Sequence, residues 1–111
     1  MKQMKIVGGN DLTGTVKISG AKNSAVALIP AALLSSGSVK IKNIPNISDI
    51  DALIDILNYL NIEVEVADET LIINSSKLIN KEIPLELSSK LRASYYFMGA
   101  LLGRCKKVSI Y

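Results

Sequence analysis

Histidine is absent from the 111 residues, and cysteine occurs once, at Cys105. A catalytic triad or metal site built on histidine is excluded within the chain, and so is an internal disulfide framework. No apolar run reaches the ~20 residues that a membrane-spanning helix needs. The first residues are polar-alternating and lack the continuous apolar stretch of a secretory signal. The location expected from these features is a reducing cytoplasm. Strong charge of one sign is also missing. The net charge is +3, the lysines are spread along the chain, and pairs such as Lys106-Lys107 are weak evidence for nucleic acid. Glycine and proline are few, 7 and 3. What remains, 49% hydrophobic and 21% charged residues, suits an ordered soluble protein with one modest core.

The stretch Ser19-Gly20-Ala21-Lys22-Asn23-Ser24-Ala25 organises the rest. It follows a short alternating run, Thr15 to Ile18, and precedes an apolar helical run, Ala25 to Leu34. It therefore reads as a strand-to-helix turn with a lysine and an asparagine at the helix entrance. A cation there sits at the wrong end of the helix dipole, beside unpaired backbone N–H groups. Two readings stand side by side. Lys22 helps to hold an anion, or Lys22 points into solvent and Asn23 caps the helix.

Upstream, Met4 to Val7 and Leu12 to Ile18 read as the strands of a hairpin around Gly8-Gly9-Asn10-Asp11, with Gly14 as a bulge. Strands this short need a partner surface. The segment Asn23 to Ser35 is apolar on almost every side, which predicts a helix buried all round, loosened or bent at Pro30. Val39 to Ile44 alternates as a strand. Ser48 is the expected N-cap of a helix with Asp49 and Asp51 at its favourable end. Ile50, Leu53, Ile54, Leu57 and Leu60 share one side of that helix; Asp51, Asp55 and Asn58 take the other. Asn61 is expected to stop it in a left-handed conformation. Ile62 to Val66 and Leu71 to Ile73 then form a hairpin turned by Asp68-Glu69. The order suggests an α/β unit with a mixed sheet packed on helices. Ser75 to Glu86 reads as a linker. Ser88 to Gly103 reads as a third helix, with Leu87, Leu91, Tyr95, Met98 and Leu102 on one face. Met1 reads as a natural start, whereas Val108 to Tyr111 reads as a strand that stops in mid-pattern. The expectation is a piece of something longer.

Lys22, Asn23 and Arg92 are the candidate site residues. Lys22 and Arg92 are both cations at or near a helix start; if they converge, they would bind a phosphate or carboxylate. The alternative for Arg92 is a surface ion pair with Glu86 or Glu82. Asp49 and Asp51 are read as helix-start residues rather than acid/base groups. Cys105 is read as a small filler, with no histidine to activate it. Tyr95, Tyr96, Phe97 and Met98 form a stripe read as core.

The chain resembles the enolpyruvyl transferase family of the UDP-N-acetylglucosamine 1-carboxyvinyltransferases, over nearly its whole length and as an N-terminal part. The resemblance rests on Leu12-Thr13-Gly14 to Lys22-Asn23, on Ala31-Ala32-Leu33-Leu34, on Asn43-Ile44-Pro45, on Asp49-Ile50-Asp51 and on Leu91-Arg92-Ala93-Ser94. The sister family acting on shikimate phosphate carries a lysine-serine pair where this chain has Lys22-Asn23. The resemblance implies an inside-out α/β barrel of βαβαββ units, here one complete unit and the start of a second. It implies that residues 1–21 are strands of the other domain and that residues 22–111 begin the catalytic domain. It implies transfer of enolpyruvyl from phosphoenolpyruvate to the 3-hydroxyl of UDP-N-acetylglucosamine, releasing phosphate. That is the first committed step of peptidoglycan synthesis. Lys22 would contact phosphoenolpyruvate, Asn23 the amino-sugar, and Arg92 the UDP-sugar and substrate anion. No cofactor, metal, nucleic acid or membrane is implied. The family's loop cysteine does not match Cys105, so residues 1–111 alone are expected to be inactive. The competing reading is a small α/β binding or assembly module, self-associating through residues 1–21.

Overall fold

The computed structural model describes residues 1–90 and 92–110. Helix α1 (Lys22–Ala31) runs into a 3-10 turn (Ala32–Leu34), followed by β1 (Ser38–Ile41), α2 (Ser48–Tyr59), β2 (Glu63–Ala67) and β3 (Thr70–Asn74). A short helix α3 (Leu85–Ser88), a 3-10 turn (Arg92–Ser94) and α4 (Tyr95–Cys105) complete the order. The three strands form one sheet in the order β1-β3-β2, antiparallel at both junctions. The mixed sheet expected from the sequence is thus not found among the described residues, because 15–18 pair with nothing. A lone parallel bridge joins Ile83 to Ile110.

Helix α2 follows its sequence pattern. Leu53, Leu57 and Leu60 are fully buried, Ile54 is half-buried, and Asp51, Asp55 and Asn58 face solvent. Ile56 also reaches the core, so the buried stripe is wider than expected. The cap lies one residue earlier than the sequence suggests. Ile47 is extended, Ser48 is already helical, and no side chain caps the end. Asp49 and Asp51 leave favourable charge in the first turn. Asn61 does take the left-handed conformation, φ 61°.

Pro30 is tolerated because it lies one residue from the end of α1. It removes only a late hydrogen bond, and the chain tightens into the 3-10 turn directly after Ala31. The expectation that this helix is buried all round is corrected. Ala25, Val26, Ile29, Pro30, Ala32 and Leu33 are buried, but Leu28 and Leu34 are exposed. A 111-residue chain covers one side of it, mainly with α4.

The expected N-terminal hairpin does not form. Residues 1–21 carry no helix or strand, and Met4, Ile6, Leu12, Val16 and Ile18 are all at least 78% exposed. Two short strands without a surface to lie on do not hold. The extended segment stretches the molecule to 57 × 31 × 19 Å, with a radius of gyration of 17.1 Å. About 13 Å is usual for a compact domain of this length.

The third helix is broken into α3, a 3-10 turn and α4. Leu91 of the expected apolar face lies outside the described residues. Tyr95, Met98 and Leu102 of that face are exposed, and Phe97, Ala100 and Leu101 are buried instead. Of the aromatic stripe only Phe97 is core. The reason is that α1 meets α4 on the Phe97–Leu101 side. Cys105 packs half-buried at the core's edge.

The segment 75–86 is more than a linker. Ile83 is fully buried, Ile79 N–H donates to the Leu60 carbonyl (2.9 Å), and Asn61 Nδ2 donates to the Lys77 carbonyl (3.0 Å). Tyr59 donates its hydroxyl proton to the Glu82 carbonyl (2.9 Å), while Lys81 lies over the Tyr59 ring, 5.1 Å from its centre.

Helix α4 ends at Lys106, which holds φ 61° with its N–H bonded to the Leu102 carbonyl at 2.9 Å. A side chain in this conformation is disfavoured, and glycine is not. Lys106→Gly should therefore stabilise the fold by about 1 kcal/mol. Urea unfolding checks this; a loss of stability would show that the exposed Lys106 side chain makes a contribution of its own.

Candidate functional site

The approach to α1 is set by a close backbone contact. Gly20 passes so near the Asn43-Ile44-Pro45 loop that a Cβ on it would lie 1.7 Å from the Asn43 carbonyl oxygen. Asn43 itself holds φ 58°. One residue on, Ala21 caps α1 in an extended conformation, and its carbonyl accepts the first helical bond from Ala25 N–H (3.1 Å). Lys22 and Asn23 are then the first two helical residues. Asn23 is not the cap, and both are exposed.

Lys22 does not simply point into solvent. Its Nζ meets Asp49 Oδ2 at 2.5 Å, joining the N-terminal turns of α1 and α2. The lysine side chain is 58% exposed and the aspartate 23%. A pair this open contributes about 0–1 kcal/mol, so it positions the ammonium more than it holds the fold together. It also places a carboxylate beside a cation that would otherwise oppose the α1 dipole. Asp49 was legible in the sequence as a helix-start residue. That it meets Lys22 was not.

Arg92 opens the 3-10 turn ahead of α4, exposed, in a cleft of about 560 Å³ with Leu85, Ser89, Tyr95 and Met98. The turn is fixed from behind by the buried Ser94, whose hydroxyl donates to the Ser88 carbonyl (3.0 Å). Among the described residues Arg92 forms no ion pair, with Glu82 and Glu86 or otherwise. Nor does a hydrogen bond join it to Lys22 or Asn23. The structure thus brings Lys22, Asn23 and Asp49 together and leaves Arg92 in a separate cleft.

A second cleft, of about 660 Å³, opens beside Gly20 between the first half of α2 and the β2–β3 turn. Ile44, Ile47, Ile50, Ile54 and Val66 line it, and Asp51, Asp68 and Glu69 add carboxylates. Lys17 Nζ reaches Glu69 Oε2 there at 3.4 Å. Among the described residues no group of acidic, cysteine or histidine side chains fits a metal ion, and no helix is long and apolar enough to cross a membrane.

One residue that sequence reasoning missed is Arg104. Its Nη1 donates to the carbonyls of Leu33 (3.0 Å) and Ser35 (2.9 Å) and to the Ser75 hydroxyl. Its Nη2 donates to the Ser75 carbonyl at 2.9 Å. The signal available was weak: a basic residue in the last turn of a helix, where it suits the dipole.

Comparison with known proteins shows the family of the chain. UDP-N-acetylglucosamine 1-carboxyvinyltransferase 1 of Staphylococcus haemolyticus is 50% identical over 107 residues, covering 96% of this chain and 25% of the relative. UDP-N-acetylglucosamine 1-carboxyvinyltransferase 2 of Oceanobacillus iheyensis is 48% identical over 110 residues, covering 99% of this chain and 26% of the relative. The chain thus spans about a quarter of the length of the curated relatives it matches. The solved enolpyruvyl transferase NikO from Streptomyces tendae superposes with a TM-score of 0.75 at 32% identity, covering 87% of this chain and 23% of that one. The family model for EPSP synthase (3-phosphoshikimate 1-carboxyvinyltransferase) matches residues 6–111. With a match of that extent and a shared α/β fold, the chain belongs to the EPSP synthase family.

Proposed function

We propose that this chain forms the N-terminal part of an enzyme that transfers enolpyruvyl from phosphoenolpyruvate to the 3-hydroxyl of UDP-N-acetylglucosamine. The observation that carries this is the Lys22-Asn23 pair at the start of α1, held by the Gly20 contact and by Asp49, in a chain about half identical to proteins of that name. The sugar hydroxyl oxygen adds to C2 of phosphoenolpyruvate as the hydroxyl loses its proton and the methylene carbon gains one to become a methyl group, giving a tetrahedral phospholactoyl intermediate. Phosphate then leaves as a methyl proton is lost, restoring the double bond. Both substrates are anions, and charge builds on phosphate as it departs. Lys22 neutralises that charge near the reacting centre, Asn23 orients the amino-sugar, and Arg92 offers a planar fork to a substrate anion. Residues 1–21, with no helix or strand and all but Gly20 exposed, fit strands that pack on another domain, with the catalytic domain beginning at Lys22. Residues 1–111 alone are expected to give no turnover.

The test is a chimera in which residues 1–111 replace the matching segment of the Staphylococcus haemolyticus relative. It should release phosphate from phosphoenolpyruvate with UDP-N-acetylglucosamine and not with shikimate 3-phosphate. Lys22→Ala should lower kcat/KM by about 10²–10³, the usual effect of removing one group that stabilises transition-state charge. A preference for shikimate 3-phosphate, or a Lys22→Ala chimera as active as its parent, would overturn the reading.

A further inference from the structure

We propose that Asp49 is the built-in counter-ion of Lys22: it fixes the ammonium for the enolpyruvyl transfer described above and, at the same time, weakens the hold of Lys22 on anions. The inference rests on that reading of Lys22 and deepens it. Lys22 Nζ lies 2.5 Å from Asp49 Oδ2, and among the described residues neither group enters another ion pair. Each stands in the first turn of its helix, and α1 packs on α2. Ala25 and Val26 bury the start of α1, and Ile50 and Leu53 bury the start of α2, so the two charged ends approach each other from fixed supports. The pair therefore needs nothing that residues 1–21 or a further domain would add.

The arrangement has two effects of opposite sign. A lysine ammonium carries three donors. The carboxylate takes one and leaves two, so an oxygen of a substrate anion can reach Nζ while Asp49 stays in contact. Without that contact the four-carbon stem is free to swing through many rotamers, and the charge has no fixed place at the reacting centre. Against this, any anion that reaches Nζ also approaches the carboxylate. Two oxygens hydrogen-bonded to one tetrahedral nitrogen lie about 4–5 Å apart. Like unit charges at that distance in water shift an equilibrium about fivefold. Asp49 thus lowers affinity for the ground state and keeps a donor in place for the phosphate charge that develops later, which favours turnover over tight binding.

The 111-residue protein and its Asp49→Asn variant, titrated with inorganic phosphate and with phosphoenolpyruvate, test this through the side-chain ¹⁵Nζ signal of Lys22. Asparagine keeps the shape of the side chain and removes its charge. The variant should bind both anions about fivefold more tightly than the parent. Asp49→Glu should return to the parent's affinity, because it restores the charge. Asp51→Asn is the control. It removes a carboxylate from the same helical turn, one that is exposed and in no ion pair among the described residues, and affinity should stay within about twofold. In the chimera, Asp49→Asn should lower kcat by about tenfold or more while KM for phosphoenolpyruvate falls, a split that loss of folded protein does not produce. Anion binding that is weaker or unchanged in Asp49→Asn, including no binding by either protein, would overturn the proposal. So would a chimera variant with the parent's kcat. A chimera that fails with Asp49 in place would strike the transfer reading instead, and the titration, which needs no acceptor sugar, would still decide whether Asp49 opposes anions at Lys22.

Discussion

Replacing Arg104 with alanine is expected to cost the fold about 3 kcal/mol, read as a drop in the urea midpoint at unchanged slope. The guanidinium is held entirely by neutral oxygens, three carbonyls and one hydroxyl, drawn from the 3-10 turn and Ser35 that follow α1 and from Ser75 just past β3. Ser75 is fully buried, and its hydroxyl donates in turn to the Ser35 carbonyl at 2.7 Å. Alanine would leave the Leu33 and Ser75 carbonyls without the donors that Arg104 supplies in this part-buried site. A hydrogen bond to a charged group contributes about 1.5–3 kcal/mol, and a buried acceptor left unmade costs about 1–3. The individual bonds are not additive, since they share one rigid fork, so the expected total lies well below their sum. At about 4–8 °C per kcal/mol for a domain of this size, thermal unfolding should fall by more than 10 °C. Arg104→Lys should recover less than half of the loss, because an ammonium cannot present two parallel donors to β3 and α1 together. A lysine variant as stable as the parent would show that the charge, through the α4 dipole, matters more than the fork.

Arg104 also marks the limit of what the sequence could reveal. Its partners, three backbone carbonyls and the Ser75 hydroxyl, lie 29 to 71 residues away, and no pattern in the sequence announces them. Helix α2 was legible because its apolar spacing repeats over 12 residues and its ends carry the expected charge and left-handed stop. The hairpin of β2 and β3 was legible for the same reason, alternation bounded by a turn. The errors fall where the outcome depends on what a segment meets. The N-terminal strands have the right alternation and no sheet to join. The stripe on α4 has helical spacing, yet α1 chose the Phe97–Leu101 side and left Tyr95 and Met98 bare. At the site, the Lys22-Asn23 turn could be placed from its flanking strand-like and helical runs. The Asp49 partner could not, because it depends on how two helix starts are brought together. The agent of that approach is a residue with no side chain.

Gly20→Ala should cost about 2–3 kcal/mol and disturb the site as well as the fold. The argument is one of space. An alanine Cβ would sit 1.7 Å from the Asn43 carbonyl oxygen and 2.8 Å from its carbon, both backbone atoms that cannot rotate away. Forcing an extra methyl into a tight contact costs about 1–3 kcal/mol by displacing the weaker neighbour. Here the weaker neighbour is the incoming segment, which has no secondary structure, and not the Asn43-Ile44-Pro45 loop, tied to the sheet hairpin by Ile44 N–H donating to the Glu69 carbonyl at 2.8 Å. The start of α1 should therefore swing outward, carrying Lys22 away from Asp49. In a ¹⁵N correlation spectrum the changes should concentrate at residues 19–23, 43–45 and 49, leaving β3 and α4 in place. Gly99→Ala is the internal contrast. Nothing lies within 4 Å of a Cβ at Gly99, which stands exposed in the interior of α4. Alanine there should stabilise by about 0.5–1 kcal/mol through lower helix-forming cost. If the two glycine variants behaved alike, the close contact at Gly20 would not be what holds Lys22 in position. If Gly20→Ala destabilised while the Lys22, Asn23 and Asp49 amides stayed unmoved, the loop would be the part that yields, and the site would be anchored through the Lys22–Asp49 pair instead.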